Sequence, residues 1–425
     1  MAAAESLIAL DADRPNANST DLYNRKAFVQ RLAHAVAQRP GRDPFIIGIE
    51  GSWGEGKSTV LEYMARELEA KHQDVTLVRF NPWTYQGQDQ MLVGLVRVIH
   101  EQLEQRPKFE ALGPKLLGFV GTTAALIGNL TGNTLATKAG EAGKQWADQL
   151  AKGPSFEKLK QELESALTES GIKIVVLVDD LDRLDHEAIR SVFRLLKAIF
   201  DLPSFTYILA YDPDIVAAAL ESFFDARGQM SGRRYLEKII QLPLALPKLD
   251  PIDLEEDLRM TFELAFDENN LERSEQTQQA LRRLTKLLAR HISTPREILR
   301  LGNAVRFALP ILKGETNPID VCRIEALRLL FPVEFEKVLR HPELMSANNV
   351  MSLLIMRNLR ARQGTTDFLG NPLPSEKPSK LVQLFEGTPE NALSLLAQTF
   401  PIVGVEFDLR EQERFQGDFP ASLST

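Results

Sequence analysis

The eight residues Gly51-Ser52-Trp53-Gly54-Glu55-Gly56-Lys57-Ser58 restrict what this chain can fold into more than any other feature. They match G-x-x-x-x-G-K-[ST] and lie between the apolar run Phe45-Ile-Ile-Gly-Ile49 and a stretch in which Leu61, Met64 and Leu68 recur at helical spacing. A buried strand, a glycine-rich turn and an amphipathic helix, in that order, make a phosphate cradle. The glycines let successive N–H groups point at phosphate oxygens, and the helix N-terminus adds partial positive charge. The expected nucleotide-binding residues are therefore Gly51 to Ser58 together with Thr59. Lys57 would reach the β- and γ-phosphates, and the Ser58 hydroxyl would ligate Mg²⁺. At ordinary glycine frequency the four fixed positions coincide by chance in only about one or two chains in a hundred of this length. The flanking strand and helix lower that further.

The surrounding pattern is α/β. Val75-Thr-Leu-Val-Arg-Phe80, Ile174-Val-Val-Leu-Val178 and Phe205-Thr-Tyr-Ile-Leu-Ala210 read as strands buried on both faces, with Ile189, Val192, Phe193, Leu196 and Phe200 on one helix face between the last two. A further short strand is expected around 239–242, ended by Pro243 and Pro247. A helix over about 25–38 follows a polar entry loop at 11–21. Past Asp250 the periodicity is helical: Leu281, Leu284 and Leu288 share one face, and Ile324, Leu327 and Phe331 another. The expected organisation is a parallel-sheet core made of residues 1–84 and 166–250, a mostly helical insertion at 85–165, and a helical lid or C-terminal domain at 251–425 with a loop at 363–380 and a polar tail.

Asp179 and Asp180 follow the aliphatic run 174–178, so they should emerge at the carboxyl edge of the sheet, where ligands of open α/β folds bind. Asp179 is placed to hold Mg²⁺ through water and Asp180 to orient or deprotonate an attacking water. The competing reading is an acidic loop that caps the next helix. Asp182 and Arg183 divide between a structural and a direct role, and Asp212 between a γ-phosphate sensor and a turn carboxylate before Pro213. Phosphoryl transfer also needs positive charge in the transition state. The candidates are Arg233, Arg234 and Arg296, of which Arg296 is preferred as catalytic because Pro295 fixes a helix start that would face a cleft between domains.

A net charge of -8 gives no global footprint for nucleic acid. The lone Cys322 forms no internal disulfide, and the six His are scattered without metal-ligand spacing. The first residues carry neither a basic leader nor a long apolar core. These features favour a cytoplasmic setting.

Five segments together resemble the KAP P-loop NTPases: the 51–58 loop; Phe80-Asn-Pro-Trp-Thr-Tyr85; Asp179-Asp-Leu-Asp-Arg183; Tyr235-Leu-Glu-Lys-Ile-Ile-Gln-Leu-Pro243; and Thr294-Pro-Arg-Glu-Ile-Leu-Arg-Leu-Gly-Asn303. The resemblance implies an additional-strand core related to AAA+ and STAND ATPases, in which a strand separates the P-loop strand from the one ending at Asp179. It also implies a helical insertion, and Lys57 and Asp179 stand 122 positions apart. ATP is implied over GTP, with Mg²⁺, and hydrolysis as a conformational or assembly switch. A homo-oligomer or a protein effector is the implied partner, and bacterial anti-phage defence the implied setting. The alternatives are a nucleotide-dependent scaffold with negligible turnover and a DNA-dependent motor.

Family members often reach membranes through the insertion. The apolar stretch 116–130 is shorter than the roughly twenty residues a span needs and contains Gly118, Gly121, Thr122, Thr123, Gly128 and Asn129. A single span would also put Lys57 and Asp179 on opposite sides of the bilayer. A buried or partner-binding hairpin is therefore expected ahead of a peripheral membrane contact, and either ahead of transmembrane insertion. Trp83 and Tyr85 are expected to pack a core or domain junction rather than touch nucleotide.

Overall fold

Strands rich in Val and Ile that are apolar on both faces require helices above and below them, and the first part of the chain supplies both. The computed structural model describes residues 10, 21–40, 43–85, 88–106, 112, 156–199, 202–221, 231–312, 316–341, 384–385 and 387–399. They divide into two compact units, the first made of the described residues from 21 to 248 and the second of residue 10 with those from 249 onward.

In the first unit, α1 (Arg25–Gln38) precedes β1 (Phe45–Glu50), which runs through the glycine loop into α2 (Lys57–Lys71) and β2 (Val75–Phe80). Helices α3 (Gln88–Glu104) and α4 (Phe156–Ser170) lead to β3 (Lys173–Val178), then α5 (His186–Ile199), β4 (Phe205–Tyr211), α6 (Pro213–Glu221), α7 (Gly232–Ile239) and β5 (Leu242–Ala245). The sheet order is β2-β3-β4-β1-β5, and every pairing is parallel. Strand β4 thus lies between β1 and β3, which is the additional strand that the family resemblance implies.

The period-2 alternation of strand side chains sorts the core into two faces. Ile174, Val176 and Val178 of β3 join Phe205, Tyr207 and Leu209 of β4 on the face covered by α3, α5 and α6. Val175, Leu177, Ile208 and Ala210 join Ile47 and Ile49 on the face covered by α1 and α2. All seven residues of β4 are buried. Met91, Leu95, Ile99 and Leu103 place α3 within this core, so part of the segment that the sequence assigns to an insertion packs on the sheet itself. The edge strand corrects an expectation. It begins at Leu242 and continues through Pro243, which stands opposite Gly48. A strand with one neighbour tolerates a residue that lacks an N–H.

The second unit contains α8 (Pro251–Glu268), α9 (Glu275–Leu288), α10 (Pro295–Ile311), α11 (Pro318–Leu330), α12 (Pro332–Arg340) and α13 (Glu390–Thr399). Proline at the first position and an Asp, Thr or Asn cap start α8, α10 and α11. Leu281, Leu284 and Leu288 are buried as their spacing predicts. On α11 the buried stripe is shifted: it runs through Ile319, Cys322, Ala326 and Leu327, with Ile324 only half-buried. No helix among the described residues is long and apolar enough to cross a membrane. The stretches 116–130 and 363–380 lie outside the described residues.

Gly232 carries a packing constraint that can be tested. A Cβ there would meet the Ala217 backbone oxygen at 1.9 Å, and a backbone atom in α6 cannot swing aside. Gly232→Ala is expected to destabilise the first unit by about 1–3 kcal/mol through overpacking, read as a lower urea midpoint.

Candidate functional site

The carboxyl ends of four neighbouring strands assemble the site. β1 delivers the loop beginning at Gly51, β3 delivers Asp179 and Asp180, β2 delivers Asn81, and β4 delivers Asp212. The loop turns at Gly54 and Gly56, each with φ of 90°, a conformation that glycine adopts without steric cost. Glu55 serves the loop internally: its Oε2 accepts from the Ser52 N–H at 2.9 Å. Trp53 is 49% exposed on the outside of the loop, and Thr59 lies half-buried in the first turn of α2.

Lys57 is buried. Its Nζ donates to the carbonyls of Gly51 at 2.9 Å and Ser52 at 3.2 Å, and it pairs with Asp182 Oδ2 at 2.7 Å. The Ser58 side chain lies beside the Asp179 carboxylate. Burial pushes the Asp179 carboxyl above its ordinary range, the Ser58 side chain works against that shift, and the neighbouring Asp180 and Asp182 charges add to it.

Asp180 has a left-handed backbone, φ 58°, which Asp tolerates better than most residues. Its carboxylate accepts from Asn81 Nδ2 at 2.8 Å and pairs with Arg183 Nε at 2.7 Å. The 3₁₀ turn Leu181–Arg183 follows, held by the fully buried Leu181. The two readings left open for Asp182 and Arg183 thereby separate. Asp182 stands on the loop lysine, and Arg183 clamps Asp180.

Asp212 behaves as the turn carboxylate. Its Oδ1 accepts from the Asp214 N–H at 3.0 Å and so caps α6. The preceding Tyr211 donates its hydroxyl to Glu50 Oε1 at 2.8 Å, and burial and that carboxylate raise the phenol pKa. Arg233 pairs with Asp214 at the surface, and Arg234 is exposed. Arg296 lies in the second unit, half-buried in the first turn of α10, where Thr294 and Glu297 form a reciprocal cap. The expectation for the aromatic pair holds for Tyr85 alone, which stacks on Phe80 with centroids 5.5 Å apart. Trp83 is 56% exposed and packs no core.

Sequence reasoning missed Arg25. It is 3% exposed, donates to the Glu55 carbonyl, and faces the Tyr23 ring at 6.0 Å. Its Nε and Nη2 are buried without a hydrogen-bond partner among the described residues, and desolvation lowers its pKa. The available signal was its position in step with the buried Val29, Leu32 and Val36 on the apolar face of α1. Asn81 was also missed as a functional group, although it lies inside a quoted motif.

A neighbouring hydroxyl and carboxylate, beside an ammonium and a helix N-terminus, suit a hard divalent cation carried by a polyphosphate. The loop and Arg25 depend on each other, since a Cβ at Gly56 would lie 2.8 Å from Arg25 Nη1. Gly56→Ala is expected to cost about 1–2 kcal/mol from the positive φ alone, with a further loss from this contact. In an Arg25→Ala background only the φ penalty should remain, a difference that urea denaturation of the four proteins reads directly.

A family model described as the KAP family P-loop domain matches residues 25–312. The phage T7 exclusion protein of Escherichia coli strain K12 is 28% identical, the match covering 74% of this chain and 45% of that protein. This chain thus spans less than half the length of that relative. Among solved structures, Cdc6p from Pyrobaculum aerophilum is 13% identical with a TM-score of 0.42, covering 91% of this chain and 95% of its own. The ADP form of Aeropyrum pernix ORC2 is 12% identical with a TM-score of 0.40, covering 88% and 87%.

Proposed function

Because the chain belongs to the KAP family of P-loop NTPases, we propose that it binds ATP with Mg²⁺ and hydrolyses it as a conformational or assembly switch. The observation that carries this reading is the approach of the loop to the acids after β3, with Lys57 Nζ 2.7 Å from Asp182 Oδ2 and the Ser58 side chain beside Asp179. It joins the loop after one strand to the acid after another, with β4 between them.

In this reading the backbone N–H groups of residues 51–59 hold the phosphates and Lys57 neutralises the β- and γ-oxygens. Ser58, and Asp179 through water, would hold the magnesium ion, which would offset the negative charge of the phosphates. Asp180, steadied by Asn81 and Arg183, orients the attacking water and takes its proton. Arg296 supplies positive charge in the transition state. ATP is favoured over GTP by family likeness. The name of the Escherichia coli relative supports a role in phage defence, with the output delivered through a protein partner or a second copy of the chain.

Lys57→Ala is expected to weaken nucleotide binding by about tenfold or more, measured by titration of a fluorescent ATP analogue. Asp180→Asn should bind as wild type while phosphate release falls by about 100-fold or more. Loss of binding in Asp180→Asn, or unchanged turnover, would count against the assigned role. Arg296→Ala should lower turnover by about 1000-fold with little change in affinity. A phage plating assay on cells expressing wild type and Lys57→Ala tests the defence role, which requires protection by the first and none by the second.

A further inference from the structure

We propose that Asp182 is an internal competitor of the nucleotide phosphates for Lys57, and that its release couples filling of the loop to the position of Asp180. This rests on the ATPase reading above. An ammonium carries three N–H donors, and among the described residues the three partners of Lys57 are the Gly51 carbonyl at 2.9 Å, the Ser52 carbonyl at 3.2 Å and Asp182 Oδ2 at 2.7 Å. A phosphate oxygen can therefore be contacted only when one partner lets go. The two carbonyls belong to the loop that shapes the cradle. Asp182 is the shortest contact and the only charged one, and it repels an incoming phosphate.

Its release has consequences because the carboxylate is sequestered, with 8% of its side chain exposed against 7% for Lys57. A buried charge that loses its counter-ion must move or find another partner. Asp182 cannot move alone. It sits in the 3₁₀ turn between Leu181, which is fully buried, and Arg183, which is paired with Asp180. Movement of that turn shifts the clamp on Asp180, so the arrival of phosphate at Lys57 reaches the proton-accepting carboxylate through two residues of backbone. No contact between Asp182 and the nucleotide is needed for this coupling. Were Asp182 a direct metal ligand instead, D182N would weaken binding in the presence of Mg²⁺.

The test is a double-mutant cycle with D182N and K57M, read in two ways on the full chain. In melting experiments without nucleotide, D182N should lower the midpoint by several degrees in the wild-type background, since it removes the counter-ion of a buried ammonium, and should have little effect in the K57M background. In titrations of a fluorescent ATP analogue in EDTA, D182N should bind on the order of tenfold more tightly than wild type. In the K57M background the same substitution should change affinity by less than about twofold. Equal melting losses in both backgrounds, or weaker binding by D182N while wild type binds normally, would overturn the competition and leave the ATPase reading standing. A wild type that binds no ATP analogue with or without Mg²⁺ would remove the ATPase reading and the competition with it, while the melting cycle still reports the ion pair.

Discussion

The register between β1, β4 and β3 is the constraint on which the site depends. Ile47 stands opposite Ile208, and Ile208 in turn opposite Leu177, so the ends of β1 and β3 are set by the same central strand. With side chains of period two, a slip of one residue would exchange the two faces of the core. The faces are specified by different partners: Tyr207 and Leu209 pack with α5 and α6, and Ile208 and Ala210 with α2. Because β4 is buried throughout, such a slip is opposed by packing on both sides. Hydrophobic matching in the middle of the sheet is therefore what holds Ser58 against Asp179 at its edge.

The edge itself is electrically crowded. Asp179, Asp180 and Asp182 lie within four residues of chain; the buried cation beside them is Lys57, and Arg25 is buried against the loop at Glu55. Each carboxylate has a separate partner: a serine hydroxyl for Asp179, an amide and a guanidinium for Asp180, an ammonium for Asp182. Desolvation makes an unpaired charge costly at such a site, and the distribution of partners spreads that cost. Arg25 is the exception, with two of its nitrogens unpartnered among the described residues. Its remaining nitrogen binds the Glu55 carbonyl, so the first residue of α1 helps to define the loop.

The sequence was most legible where local chemistry and periodicity agreed. The bounds of α1 and β2 follow from apolar spacing, and the loop from its glycines, because each of these depends on residues close together in the chain. Trp83 was misread because an aromatic after a strand is ordinarily packing material, and nothing local showed that Tyr85 alone would lie on Phe80. The continuation of β5 through Pro243 depends on its being the edge strand, a fact of topology. The roles of Asp182 and Arg25 were out of reach for a similar reason. Both are defined by a partner far away in sequence, Lys57 for one and the Glu55 carbonyl for the other, and pairing across that distance leaves no periodic trace.

The left-handed backbone at Asp180 has an implication of its own. That region of conformational space admits glycine freely, asparagine and aspartate with modest strain, and branched or longer side chains poorly. The set of residues tolerated here is consequently narrowed before any chemistry is considered: glutamate, the nearest relative of aspartate by charge, is disfavoured by the backbone, and asparagine, its nearest relative by shape, is accepted. The turn thus acts as a steric filter that ties the identity of an acid to the path of the main chain.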